Sequence, residues 1–389
     1  MKKANRILNV PPYLFAEIEK KRAELIARGV KLIDLSIGDP DLPTPDRILK
    51  RFHKEVDDPK NHNYPPYEGT KEFRAAVAAW YKKRFNVDLD PDKEVLSLIG
   101  SKEGIAHVFF AFMDPGDYAL VPDPGYPVYN VATILAGGIP YPVPLLRSNG
   151  FLPDLDSIDK NIVKKSKLLF INYPNNPTSA VAGKEFLKDA VAFCKKNDLL
   201  LCSDLAYSEV SFDGYRAMSV LEVPGAKDVA IEFHSLSKTY NMTGWRIGMA
   251  VGSSYAVSAL SIIKTNVDSG IFKAIQAAGV EALNGPQKNI DDMNNIYAER
   301  RNILVEGFNS LGWDIEYPKA TFYIWAPVPK SFTSQGFVTH LLEKTAVLAV
   351  PGSGYGKYGE GYIRLSITAD KEKLKEAVAR FKKEGISFK

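Results

Sequence analysis

Several things are scarce in this sequence. It has only two cysteines, Cys194 and Cys202, and five histidines among 389 residues. That gives no disulfide framework, no zinc pattern and no redox pair. Both cysteines lie among apolar neighbours, as small core residues do. No apolar run approaches the roughly 18 residues of a membrane span. The N-terminus, Met1 to Arg6, is basic but leads into no apolar signal core, so a cytoplasmic location is expected. The formal net charge is only +4, which excludes a strongly basic nucleic-acid surface. Basic clusters such as Lys20-Lys21-Arg22 and Lys82-Lys83-Arg84 fall at helical spacing and read as solvated faces. There is no internal repeat, low-complexity tract or long linker.

What is present is ordinary for a globular chain. Hydrophobic residues make up 45%, enough for a sizeable core, and charged residues 25%. The length suggests two domains, or one large domain with an appendage. From Val95 to about Gly252 the chain alternates strand and helix. Strands are expected at 95–99, 118–121, 168–172, 199–203, 229–234 and 247–251. Helices near 103–112, 127–136 and 184–195 separate some of them. The spacing implies a mainly parallel sheet flanked by helices. Before it, helices are expected at 11–28, 46–56 and 70–85, with a short strand at 31–37. After Gly285 come a long helix at 287–311, strands at 321–326 and 362–367, and helices at 335–343 and 371–383. This reads as an α/β chain with a large domain at 46–285. A smaller α+β domain is built from 1–45 and 286–389.

One stretch organises the rest: Ser235-Leu236-Ser237-Lys238-Thr239-Tyr240-Asn241-Met242-Thr243-Gly244-Trp245-Arg246. It lies between two apolar runs. An ammonium in such a place is costly to desolvate, so Lys238 needs a reason to be there. Desolvation lowers a lysine pKa and makes the amine a nucleophile able to form a Schiff base. Ser235, Ser237 and Arg246 would then surround an anion such as phosphate. The bland alternative is a surface loop that happens to carry Lys and Arg.

Other polar groups also fall at strand ends, where ligands bind in such sheets. Asp204 ends a buried run and must have a partner, either a ligand or the next turn. Ser101, Lys102 and Glu103 open a helix, a natural anion site, although Ser101 is equally a cap. Asn176 sits in an Asn-Pro turn that, read alone, is an ordinary loop. Tyr126 reads alone as a core tyrosine. Arg364 alternates with apolar residues on a strand and could simply face solvent.

Taken together, these motifs resemble the class I aminotransferases, pyridoxal-phosphate enzymes of fold type I. The likeness runs from about Ile33 to Ser366, with the motifs in family order. It implies roles residue by residue. Lys238 carries pyridoxal 5'-phosphate as a Schiff base, and Asp204 pairs with the pyridine nitrogen. Tyr207 and Asn176 bind the ring 3'-oxygen, and Tyr126 stacks on the ring. Ser101, Lys102, Glu103, Ser235, Ser237 and Arg246 hold the phosphate. Tyr64 reaches the phosphate of a neighbouring subunit, which implies a homodimer with shared active sites. Arg364 and the Gly38 amide bind the substrate α-carboxylate. Ser179 stands where the family usually has glycine, which would strain a positive φ.

The phrases Pro12-Tyr13-Leu14-Phe15-Ala16-Glu17-Ile18, Tyr64-Pro65-Pro66-Tyr67-Glu68-Gly69, Asp123-Pro124-Gly125-Tyr126-Pro127-Val128-Tyr129 and His234-Ser235-Leu236-Ser237-Lys238-Thr239-Tyr240-Asn241-Met242 resemble the LL-diaminopimelate aminotransferase subgroup. There Tyr13, Lys102, Tyr67 and Glu68 would hold the distal end of a long substrate. The implied activity moves an amino group between LL-diaminopimelate/tetrahydrodipicolinate and glutamate/2-oxoglutarate, in lysine biosynthesis. Alternatives within transamination are an aspartate, alanine or broad-range enzyme. More distant ones are a lyase or decarboxylase of the same fold, or a non-catalytic cofactor-binding regulator. Neither nucleic acid, membrane nor metal is expected as a partner.

Overall fold

The computed structural model describes residues 1–11 and 15–388, with the backbone alone for 15–19. Tyr13 lies outside the described residues. Twelve strands, in chain order, are β1 Ile33–Asp34, β2 Val95–Leu98, β3 Tyr118–Asp123, β4 Ile139–Pro144, β5 Ser166–Asn172 and β6 Leu200–Asp204, then β7 Ala230–Ser235, β8 Gly248–Gly252, β9 Tyr323–Pro327, β10 Val347–Leu348, β11 Val350–Pro351 and β12 Tyr362–Ser366.

Seven of them form one sheet in the order β2-β8-β7-β6-β5-β3-β4. β8 runs antiparallel to β7 and β2, and the remaining pairings are parallel. Both faces are buried, which is why the central strands read as continuous apolar runs rather than alternating ones. One face packs Phe170, Cys202, Ile231 and Phe233 against Ile105, Val108 and Phe109. The other packs Leu169, Leu201, Met249 and Val251 with Phe73, Val77 and Trp80. The two cysteines fall in different clusters, Cys194 in the second and Cys202 in the first, and both are free and buried.

Register places Asn172 beside Asp204, and Asp204 beside Phe233. The carboxyl ends of β5, β6 and β7 therefore lie in a row. The turns leaving them carry the polar motifs, as expected for a ligand site in such a sheet.

A second sheet, β11-β12-β9, is antiparallel, and β1 pairs in parallel with β10. Through β1 the N-terminal segment reaches the C-terminal strands. Ser366 N donates to Leu35 O at 2.7 Å, which brings Ser36 to Gly38 above Arg364 on β12. The 23-residue helix Lys288–Ser310 runs beneath this region. Among the described residues no helix is long and apolar enough to cross a membrane.

Candidate active site

A cavity of about 270 Å³ opens at the row of strand ends. Gly38, Ser101, Lys102, Tyr126, Asn176, Asp204, Tyr207, Ser235, Ser237, Lys238, Arg246 and Arg364 all line it. Residues far apart in the sequence thus converge at the carboxyl ends of β5, β6 and β7, beside Gly38 and Arg364.

Lys238 lies in a four-residue helix, Leu236–Thr239, started by the Ser235 hydroxyl accepting from Ser237 N. Its Nζ donates to Gly38 O at 3.0 Å. Burial pulls the amine down to about 8; Asp39 opposes the shift, and Arg246 and Arg364 add to it. That amine is poised near neutral pH.

Asp204 is 5% exposed and has no cation beside it among the described residues. Its Oδ2 accepts from the Tyr129 hydroxyl at 2.7 Å. Burial lifts the carboxyl to about 6, against the lowering effect of Tyr129 and of the Ala206 amide. A buried carboxylate here lacks only a cationic partner from outside the protein.

Arg364 is buried, with Nη1 on Asn176 Oδ1 at 2.9 Å and Nη2 on Ser36 O at 2.7 Å. Its guanidinium lies 4.1 Å from the centre of the Tyr323 ring and 5.0 Å from that of Tyr355. Nε has no hydrogen-bond partner among the described residues. Tyr207 and Tyr323 share a hydroxyl–hydroxyl bond of 3.0 Å, and Asn176 Nδ2 donates to Tyr207 at 3.4 Å. Burial raises the Tyr207 phenol well above its ordinary value, so it stays a neutral donor.

The opposite end of the cavity suits an anion. The helix Ser101–Phe112 begins there with no side-chain cap on its first-turn amides among the described residues. Gly100 turns into it at φ +74°, and a Cβ at Gly100 would overlap the Arg246 guanidinium. Only glycine lets the turn and the arginine meet. The Ser237 hydroxyl is buried without a partner among the described residues, the mark of a group that awaits a ligand.

Other expected side chains lie outside this cavity in the single chain. Glu103 does not face the cavity. Its Oε2 accepts from Ile99 N at 2.9 Å, and its Oε1 lies 2.9 Å from His107 Nδ1. It also approaches buried Lys264 at 3.7 Å. A carboxylate turned toward an anion site would be repelled, and the first helical turn directs this one backward instead. Tyr64 is 84% exposed and Tyr67 44%, Glu68 is exposed, and none of the three lines the cavity of the single chain. Ser179 does hold a positive φ, +60°. Its hydroxyl compensates by bonding Thr321 Oγ1 at 2.7 Å and Tyr323 O at 2.8 Å.

Sequence reasoning missed Tyr129, Tyr323 and Asn172. The Asn172 amide donates to Asp204 O at 2.8 Å, and its Oδ1 accepts from Asn176 N at 2.9 Å. Asn172 offered a signal, as the polar end of an apolar strand. Tyr129 and Tyr323 offered none that separates them from core aromatics.

The model of the class I and II aminotransferases matches residues 30–381. The chain belongs to that family. Its members depend on pyridoxal phosphate, and the cavity fits that group. Asp204 suits a protonated ring nitrogen, Lys238 an aldehyde, and the Gly100–Ser101 turn with Ser237 and Arg246 a phosphate. Among aminotransferases, this chain is 56% identical to an LL-diaminopimelate aminotransferase from Moorella thermoacetica, over 98% of each chain. It is 55% identical to one from Halothermothrix orenii, over 100% of each. Substrate-bound BacF from Bacillus subtilis superposes with a TM-score of 0.96 at 36% identity, covering 100% of this chain and 99% of that one. The aminotransferase fold is fold type I, as its mostly parallel seven-stranded sheet displays.

Proposed function

We propose that this aminotransferase moves an amino group between LL-diaminopimelate/tetrahydrodipicolinate and glutamate/2-oxoglutarate, as a step of lysine biosynthesis in the cytoplasm. The observation that carries the reading is full-length identity of 55% to 56% to relatives that bear this name.

Pyridoxal phosphate supplies an electron sink for the amino acid Cα. The chain's own residues do the rest. Lys238 Nζ would hold the cofactor and would take the proton from substrate Cα, with a pKa of about 8 suited to that transfer. The Asp204 carboxylate keeps the ring nitrogen protonated, and Tyr129 and Asn172 hold Asp204 in place. Tyr207 and Asn176 serve the ring oxygen, and Tyr126 covers one ring face. Arg364 takes the α-carboxylate with its free Nε and an Nη, beside the Gly38 backbone.

Domain and subunit organisation belong to the same reading. The division falls near residues 46 and 285, with the cavity between the parts. Two copies form a dimer in which exposed Tyr64 of each reaches the phosphate end of the other. Lys102, Tyr67 and Glu68 serve the distal end of the long substrate, and Tyr13, outside the described residues, is expected to join them. Lys102 already lines the cavity, its Nζ 5.7 Å from the Tyr126 ring centre.

The test is a donor scan with 2-oxoglutarate as acceptor. LL-diaminopimelate should exceed aspartate and alanine in kcat/KM by about 100-fold or more, because a site built for a distal ammonium and carboxylate leaves polar groups unpaired with a short donor. Preference for aspartate or alanine would remove this substrate and leave the family assignment standing.

A further inference from the structure

Asp123 ends β3 and is 8% exposed. Its carboxylate forms no ion pair among the described residues. It accepts instead from two consecutive backbone amides, Lys357 N at 3.1 Å and Tyr358 N at 3.0 Å. A third bond runs alongside, from Gly125 N to Tyr355 O at 2.9 Å. The segment 355–358 is thereby fastened to the end of β3. Gly356 sits at φ +136°, and a Cβ on it would overlap the Asp123 carboxylate. The contact is closed tightly enough that it admits glycine alone.

The fastened segment begins with Tyr355, whose ring lies 5.0 Å from the Arg364 guanidinium. Tyr323 covers the guanidinium at 4.1 Å. A bidentate grip on a carboxylate needs the guanidinium plane fixed to within about 10–20°, and aromatic rings against it supply that restraint. The strand end that holds Tyr355 also leads, three residues on, to Tyr126 at the cofactor end of the cavity.

We infer that Asp123 is a positioning residue for substrate: it locks segment 355–358 so that Tyr355 holds Arg364 in carboxylate-binding geometry, and it ties that grip to the segment that carries Tyr126. The inference rests on Arg364 binding the α-carboxylate, as proposed above. Asp123 itself touches neither substrate nor cofactor.

Two variants approach the contact from opposite sides. Asp123→Asn turns an amide N–H toward one of two N–H donors and breaks one bond. Gly356→Ala drives a methyl into the carboxylate. Each should raise KM for glutamate about tenfold, the effect of losing one charge-assisted hydrogen bond. Each should leave kcat within about twofold, since saturating substrate restores the grip. Amide hydrogen exchange at 355–358 should quicken at least about tenfold in both. The double variant should be no worse than either single one, because both break the same contact. A merely structural role would lower Tm and leave KM alone. KM unchanged within twofold in either variant overturns the inference. Arg364→Lys separates the two claims. If it leaves KM unchanged, the carboxylate grip itself is wrong. If it raises KM while Asp123→Asn does not, only the role of Asp123 falls.

Discussion

At the scale of single residues, the site works by burying charges that then need a ligand. Asp204 shows this most plainly. Among the described residues its only side-chain hydrogen-bond partner is a neutral tyrosine hydroxyl, and the proposed function gives its counter-charge to the cofactor ring. Asp204→Asn should keep the fold and lower transamination by about 100-fold or more, since an amide cannot hold the ring nitrogen protonated. Near-normal turnover in that variant would take Asp204 out of the chemistry. Lys238 carries a pH signature. Only the neutral amine can capture the cofactor, and burial brings its pKa from 10.5 to about 8. Uptake of pyridoxal phosphate by the apoprotein should therefore accelerate as pH rises and level off just above 8. A rate still climbing toward pH 10 would contradict the desolvated pocket. Lys238, Asp204 and Arg364 were legible in sequence because each is a charge set in an apolar strand context. Tyr129 and Tyr323 were not, because their hydroxyls act through contacts 75 and 116 residues away in sequence, to Asp204 and Tyr207.

At the scale of elements, most strands and helices fall within a few residues of where periodicity puts them. Asp46–Val56 and Lys371–Lys383 match at both ends. The exceptions have physical causes. β4, Ile-Pro-Tyr-Pro-Val-Pro, was not anticipated because proline argues against a strand; it lies at the sheet edge, where missing N–H groups are tolerated. Helices Ser254–Val267 and Lys273–Asn284 escaped because their small buried residues blur the amphipathic stripe. β7 also carries a buried charge that no motif flagged. Glu232 accepts from the hydroxyls of Ser219 at 2.6 Å, Tyr81 at 3.0 Å and Ser203 at 3.0 Å, and from Val220 N at 3.0 Å. Ser203 immediately precedes Asp204, so this cluster fixes the strand end that presents the site. Burial lifts Glu232 from 4.5 to about 7. Between those values the folded state holds a proton that the unfolded state has lost, so this contribution to stability is full below pH 4.5 and disappears as pH rises to about 7. Glu232→Gln should gain on wild type over that window, by up to about 3 kcal/mol. Parallel stability–pH curves for the two proteins would show that Glu232 does not titrate there.

At the scale of the whole molecule, a single chain brings most of the expected site residues into one cavity but leaves others outside. Tyr64, Tyr67 and Glu68 stand on the surface, away from the cavity. A dimer in which this segment reaches the partner's cavity accounts for that exposure, and sequence alone could signal it only through family likeness. Mixing inactive Lys238→Ala with an impaired Tyr64→Ala variant should restore activity in mixed dimers, because the site on the Tyr64→Ala chain keeps its own Lys238 and Arg364 and takes Tyr64 from its partner. A fully active monomer in solution would exclude shared sites. The account as a whole stands on one claim, that the amino group is moved at the cavity centred on Lys238. Borohydride reduction of the protein loaded with pyridoxal phosphate, followed by peptide mapping, tests this directly. The label should fall on Lys238, with none on the Lys238→Ala protein; a stoichiometric label on any other lysine would place the chemistry elsewhere.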